Sequence, residues 1–216
     1  QKNVCIFIKD DIHDHFEYLV RICEYNNINI TKKYDDKTCP AEAIVVLDTP
    51  KPAMVCHSAK TKSLMESGKV PVVEIDHHLG ADSQNIGDSK YRLVDEASSA
   101  SELVGRVALK LKNKKRLLKK YNIENPLSRN IVLAILTGII GDTNMGKYLK
   151  TKREKKYYDM FSELYNQILS QETTKKSNFS DKEEVYLELK RLSADEENCY
   201  NTMLKKKKCS DAICYV

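Results

Sequence analysis

No apolar run in the sequence approaches the roughly 18 residues that a membrane-spanning helix needs, which excludes such a helix. The opening Val4-Cys5-Ile6-Phe7-Ile8 is too short, and too soon followed by charge, to be a signal peptide. The chain begins at Gln1 without a preceding Met, so a longer gene product is expected. The seven cysteines (Cys5, Cys23, Cys39, Cys56, Cys199, Cys209 and Cys214) are an odd, scattered set with no C-x-x-C pair. Without a secretory segment they are expected to be reduced thiols of a cytoplasmic protein. Cys209 and Cys214 lack the second nearby pair that would make them a structural zinc site. Glycines number seven, none clustered, and there is no internal repeat or low-complexity segment beyond runs of Lys.

At 216 residues the chain can bury a sizeable core. Hydrophobic residues at 41% and charged residues at 31% make the composition globular rather than disordered. The net charge of +5 arises from 36 basic against 31 acidic side chains, so the surface is mixed and permits an anionic substrate without demanding one. The basic stretches Lys110 to Lys120 and Lys205 to Lys208 can touch phosphate backbones, but a solvated helix face explains them more simply. A nucleic-acid-binding domain built on them would require strongly salt-dependent binding.

Short runs rich in β-branched residues predict buried strands at Val4 to Ile8, Ala43 to Leu47 and Val70 to Ile75, with a weaker one at Asn29 to Lys33. Phe16, Leu19, Val20 and Cys23 recur at helical spacing, as do Leu103, Val107 and Leu111. Ser99 followed by Glu102 has capping-box spacing and predicts a helix over 99–112. A second helix is expected from about Pro126 to Ile140, with an apolar face of Ile131, Ala134, Ile135 and Ile139 and an end marked by Gly138 and Gly141. Beyond about residue 150 the pattern becomes amphipathic and rich in Lys and Glu over 152–171 and 180–206, with a strand only at Ala212 to Val216. The alternation predicts an α/β fold with a parallel sheet and helices on both faces over 1–148, followed by a helical linker segment over 149–216.

Ligands of open α/β sheets collect at the carboxyl ends of parallel strands. Asp48 ends the run Ile44-Val45-Val46-Leu47, and Asp76-His77-His78 ends Val72-Val73-Glu74-Ile75. Two imidazoles beside a carboxylate offer the nitrogen and oxygen ligands that suit Mn, Fe, Zn or Co. A lone Asp after a strand is more often a turn residue, and a His pair can simply be surface, so the weight rests on the combination. Asp142, in Thr137-Gly138-Ile139-Ile140-Gly141-Asp142-Thr143, stands between small residues where it can approach a metal closely. Ser98 and Ser99 can bind phosphate at a helix N-terminus, and capping accounts for them equally well. His57, Arg106 and Lys147 are weaker candidates.

Over residues 4 to 148 the sequence resembles the DHH phosphoesterase family. The resemblance rests on four elements in order: Asp48-Thr49-Pro50 after a strand, the triplet Asp76-His77-His78, Glu96-Ala97-Ser98-Ser99-Ala100-Ser101-Glu102 leading into a helix, and Thr137 to Thr143. It implies hydrolysis of phosphoester or phosphoanhydride bonds by two metal ions, usually Mn. The implied substrates are small phosphodiesters, such as oligoribonucleotides or a cyclic dinucleotide, or polyphosphate. By the same resemblance Asp48 would bridge the metals, His77 and Asp142 would bind one of them, His78 would contact substrate phosphate, and Asp76 would support the triplet. A small phosphorylated or nucleotide substrate is the expected partner, with no membrane partner and with a homodimer allowed.

The family normally carries His-x-x-Pro-Asp-x-Asp after its first strand, where this sequence reads Lys9-Asp10-Asp11-Ile12-His13-Asp14-His15. Either the motif is altered, with His13, Asp14 and His15 rebuilding at most one metal site, or the sequence is interrupted between Asp11 and His13. The second explanation is slightly favoured, because keeping three later motifs while losing the first is an odd combination. The family's glycine-rich substrate-binding domain has no counterpart here, and Ala212 to Val216 is where it would begin. The competing expectation is a binding or regulatory protein that keeps the fold and has lost one metal.

Overall fold

The computed structural model describes residues 3–33, 40–55, 59–171, 179–210 and 213–215. The side chains of Gln171, Cys209, Ser210, Ile213, Cys214 and Tyr215 are outside that description, as are Cys39, Cys56 and His57 altogether.

The four expected strands form close to their predicted places, as β1 (Cys5–Phe7), β2 (Asn29–Thr31), β3 (Ile44–Leu47) and β4 (Val72–Asp76). A further strand, β5 (Arg92–Val94), was not expected, because three residues opening on an Arg give too little periodicity. All pairings among these five are parallel, but they fall into two hydrogen-bonded sheets rather than one: β1 pairs with β2, and β3-β4-β5 form the other. Near the carboxyl end β6 (Lys208–Ser210) and β7 (Ile213–Tyr215) pair antiparallel, with Cys209 opposite Cys214 in register.

The helices of the first half are α1 (Glu17–Tyr25), α2 (Ala59–Glu66), α3 (Ala100–Lys112), α4 (Lys115–Lys120) and α5 (Arg129–Thr143). Helix α3 begins where the cap predicts: Ser99 Oγ accepts the Glu102 amide. The Glu102 carboxylate closes the cap one residue earlier than the standard box, taking both the Ser98 amide and the Ser98 hydroxyl on Oε2. Leu103 and Ala108 form its buried side, while Val107 is exposed.

Helix α5 departs from expectation at both ends. It starts after Ser128, leaving Pro126 and Leu127 ahead of it, and runs through Gly138 and Gly141 to Thr143. Asn144, in the left-handed region at φ 49°, stops it instead. The glycines serve packing. A Cβ at Gly138 would lie 2.0 Å from Ser101 Oγ of α3, so the two helices approach too closely there for any side chain. Asp142 consequently sits in the last turn of the helix rather than beyond it.

Val132, Leu133, Ile135, Leu136, Ile139 and Ile140 are all buried, so α5 is apolar on most of its circumference rather than along one stripe, although Ile131 faces solvent. It packs against α3, against α6 (Lys152–Gln171) and against α7 (Lys182–Lys190). Phe161 and Tyr165 of α6 and Val185 of α7 are fully buried in the same cluster as α5 and Tyr18 of α1. Each such side chain contributes about 1.5–3 kcal/mol of burial. The hydrophobic core therefore continues from the first 148 residues into the helical segment that follows. The expected helix over 180–206 is two helices, α7 and α8 (Ala194–Lys206), because Ser193 caps the second in a full capping box with Glu196. No helix among the described residues is long and apolar enough to cross a membrane.

Candidate metal centre

The ladder between β3 and β4 aligns Leu47 with Ile75, which brings the residues following both strands to one end of the sheet. Asp48 extends the ladder by donating its amide to the Ile75 carbonyl at 3.0 Å, then turns sharply with φ 52°. Asp tolerates this left-handed conformation better than most residues, and strain of this kind costs on the order of 1 kcal/mol or more. The turn delivers Asp48 Oδ1 to 3.2 Å from His77 Nε2.

Burial alternates along β4, so Val72, Glu74 and Asp76 point inward. Asp76 is 2% exposed, and a single oxygen, Oδ1, accepts the His77 amide at 2.8 Å and faces His78 Nδ1 at 2.7 Å. It thereby fixes the backbone of one imidazole and the ring of the other. Glu74, also buried, uses Oε2 to accept the amides of Ile86 and Gly87, which pins the loop after the triplet.

His77 Nδ1 lies 3.2 Å from the carbonyl of Ala97, in the turn between β5 and α3. A carbonyl only accepts, so Nδ1 is the donor in that contact, and Nε2 is the nitrogen that faces Asp48 and Asp142. The Asp142 carboxylate arrives from α5, with Oδ2 3.8 Å from His77 Nε2. One ligand atom from each of Asp48, His77 and His78 lies within 4.8 Å of the others. A carboxylate and two imidazoles at such spacing can hold a metal ion.

The electrostatics follow from these distances. The hydrogen bond with His77 holds the Asp48 carboxyl below its ordinary value. The same bond raises His77, against the opposing effect of burial. Asp142 is raised, first by burial and then by the Asp48 charge. In its protonated form His77 offsets the two converging carboxylates, a role that a bound cation would take over.

Two clefts flank the centre. One of about 200 Å³ lies on the His78 side, lined by Asp76, Leu79, Ser83 and Asn85 among others. The other, of about 350 Å³, is bounded by Asp142, His15, Phe16, Leu19 and, from α7, Tyr186 and Lys190.

The structure thus brings together Asp48, Asp76, His77, His78 and Asp142. His13 and His15 stack on one another with ring centroids 5.3 Å apart, at the turn before α1, and neither joins the three-residue cluster. His15 reaches only the larger cleft. Lys9 and Asp10 are exposed, and Asp11 is ion-paired with Lys32. Asp48, His77 and His78 are the one group of three ligating side chains found among the described residues. The hydroxyls of Ser98 and Ser99 are engaged by Glu102 as caps. Lys147 is exposed, and Arg106 binds the Asp95 carboxylate at 2.6 Å. The Ala97 carbonyl was not anticipated from sequence, since a backbone group carries no residue signature. No protein-family model matches the chain, and no curated protein matches it.

Proposed function

We propose that the chain is a metal-dependent phosphoesterase with a DHH-type core, acting on small phosphodiesters such as oligoribonucleotides or a cyclic dinucleotide, or on polyphosphate. The observation that carries this reading is the convergence of Asp48 and His77-His78 from adjacent parallel strand ends, joined by Asp142 from α5. Asp48, His77 and Asp142 would hold the ion, with Mn the expected one. When bound, a divalent ion supplies positive charge for phosphoryl oxygens and lowers the pKa of water. Asp76 orients the His78 ring from a buried position, leaving its Nε2 for the contact with a substrate phosphate. Ala97 keeps His77 in the tautomer that leaves Nε2 for the ion.

A second reading, a binding or regulatory protein with a single metal position, is favoured by one observation. The segment after β1 places Lys9 and Asp10 in solvent and pairs Asp11 with Lys32, so it contributes nothing to the cluster. Metal stoichiometry and turnover separate the two. About two equivalents of Mn per chain, with release of nucleotide or phosphate that Asp48→Ala and His77→Ala abolish, supports the enzyme. One equivalent without turnover across a panel of phosphoesters supports the second reading. Wild-type turnover in both variants would sink the site assignment.

A further inference from the structure

We infer that Arg106 and Arg153 are positioning residues for the metal centre: they hold the turn Asp95-Glu96-Ala97, whose last carbonyl selects the tautomer of His77. The inference rests on His77 being a metal ligand, as proposed above.

The turn joins β5 to α3 and has one backbone tie to the sheet, from the Asp95 amide to the Asp76 carbonyl at 3.3 Å. Within the turn the Glu96 amide bonds to Asp95 Oδ1 and Ala97 is buried, and two arginines tie the turn from outside. Arg153 of α6 donates from Nη2 to the Glu96 carbonyl, and the same nitrogen lies 3.4 Å from the Glu96 carboxylate and 3.7 Å from that of Asp95. Arg106 of α3 donates to Asp95 Oδ2 at 2.6 Å and reaches the Glu96 carbonyl at 3.4 Å. The Arg106 guanidinium in turn lies over the ring of Tyr157, 5.7 Å from its centroid, one turn along α6 from Arg153. Helix α6 therefore grips the turn directly through Arg153 and indirectly through Tyr157 and Arg106.

Both arginines converge on the Glu96 carbonyl, the peptide group next to the one that His77 uses. At 3.2 Å, the bond between His77 Nδ1 and the Ala97 carbonyl is already long, and a shift of well under 1 Å takes it past hydrogen-bond range. Without that acceptor the ring is free to move its proton to Nε2, where a cation has to bind. The Arg153, Asp95 and Glu96 side chains are each 40% or more exposed, so the Arg153 contacts add little to the stability of the fold, whereas the Arg106 side chain is 17% exposed. Their effect is to be sought in the orientation of His77. Arg153 and Ala97 lie far apart in sequence, so the helical segment after the core is what completes the support of the centre.

The test uses the full chain with ¹⁵N-labelled histidine, free of metal and at a pH above the titration of His77, where the ring nitrogen shifts report the tautomer. Nδ1–H should be a substantial population in wild type, where the Ala97 carbonyl on Nδ1 competes with the Asp48 carboxylate on Nε2. Arg106→Ala/Arg153→Ala should shift the balance toward Nε2–H and bind Mn about tenfold more weakly, the scale of a lost support behind a ligating His. Arg153→Ala alone should shift the tautomer in the same direction with a melting temperature near that of wild type. Arg153→Lys, which can still donate to the carbonyl, should restore most of the wild-type signal. Wild-type tautomer and wild-type Mn affinity in the double variant would overturn the inference. Absence of Mn binding in the wild type would instead overturn the proposed metal centre, and the tautomer comparison would still decide the role of the arginines.

Discussion

Affinity for Mn should rise with pH, because the cation and a proton compete for the same nitrogen of His77. In the metal-free protein the Ala97 carbonyl takes Nδ1–H while Asp48 Oδ1 sits 3.2 Å from Nε2, so both nitrogens are best satisfied as donors. The bond to Asp48 accordingly lifts His77 above the ordinary value of 6.5. A cation can use Nε2 only after that proton leaves. Below the raised pKa, each pH unit should change the affinity about tenfold, equivalent to about 1.4 kcal/mol, and above it the dependence should flatten.

Calorimetric titration with Mn in buffers of different ionisation enthalpy counts the protons released. About one is expected well below the raised value of His77, falling toward none as pH rises through it. The metal-free fold should respond in the opposite direction. A raised His contributes stability that is fully present below its unfolded pKa and is lost as pH rises through the folded one. With the His77 and Asp48 side chains 19% and 49% exposed, that contribution is no more than about 1 kcal/mol. The melting temperature should thus fall slightly as pH rises from about 6.5 through the raised value of His77, while Mn affinity climbs. Proton release that does not fall at any pH above the ordinary imidazole value would refute the assignment of Nε2 as the ligating atom.

Further outcomes test the scaffold around the centre. Ser99→Ala removes the cap of α3 and should cost about 1 kcal/mol in urea unfolding. A Cβ at Gly105 would lie 2.4 Å from Phe161 Cζ in the core, so Gly105→Val should destabilise by about 1–3 kcal/mol or more, and an unchanged unfolding midpoint would contradict the close crossing of α3 and α6. Tyr18 is buried with its hydroxyl 2.8 Å from Thr137 Oγ1, and burial pushes its pKa up to about 12. Tyr18→Phe should cost about 1–3 kcal/mol and remove the late phase of a spectrophotometric tyrosine titration.

The residues of the centre were legible in the sequence because their types are rare in combination and stand where strand patterns end. Val46-Leu47-Asp48 and Ile75-Asp76-His77-His78 mark both the strand ends and the side chains that meet there, and Ser99 with Glu102 marks the start of α3. Periodicity also foretold α6 to the residue, since its amphipathic stripe is long. It failed for β5, whose three residues are too few for any period, and it misjudged α5. There, burial on nearly every side removes the polar face by which a helix is recognised, and the glycines that look like stops are places where α3 comes close.

What the tertiary structure alone decided is which of the candidate groups meet. The chain order of Asp48, His77 and Asp142 says nothing about distance, whereas the β3–β4 register and the last turn of α5 bring them within 4 Å of His77 Nε2. His13 and His15 are as suitable chemically as His77, but the turn before α1 stacks them on each other and keeps them out of the cluster. The carbonyl of Ala97 and its support by Arg153 belong to folding entirely, because a peptide oxygen gains a role only from what is packed against it. Sequence determined which side chains were available to bind a cation. Register, helix packing and one backbone turn determined which of them point at the same place.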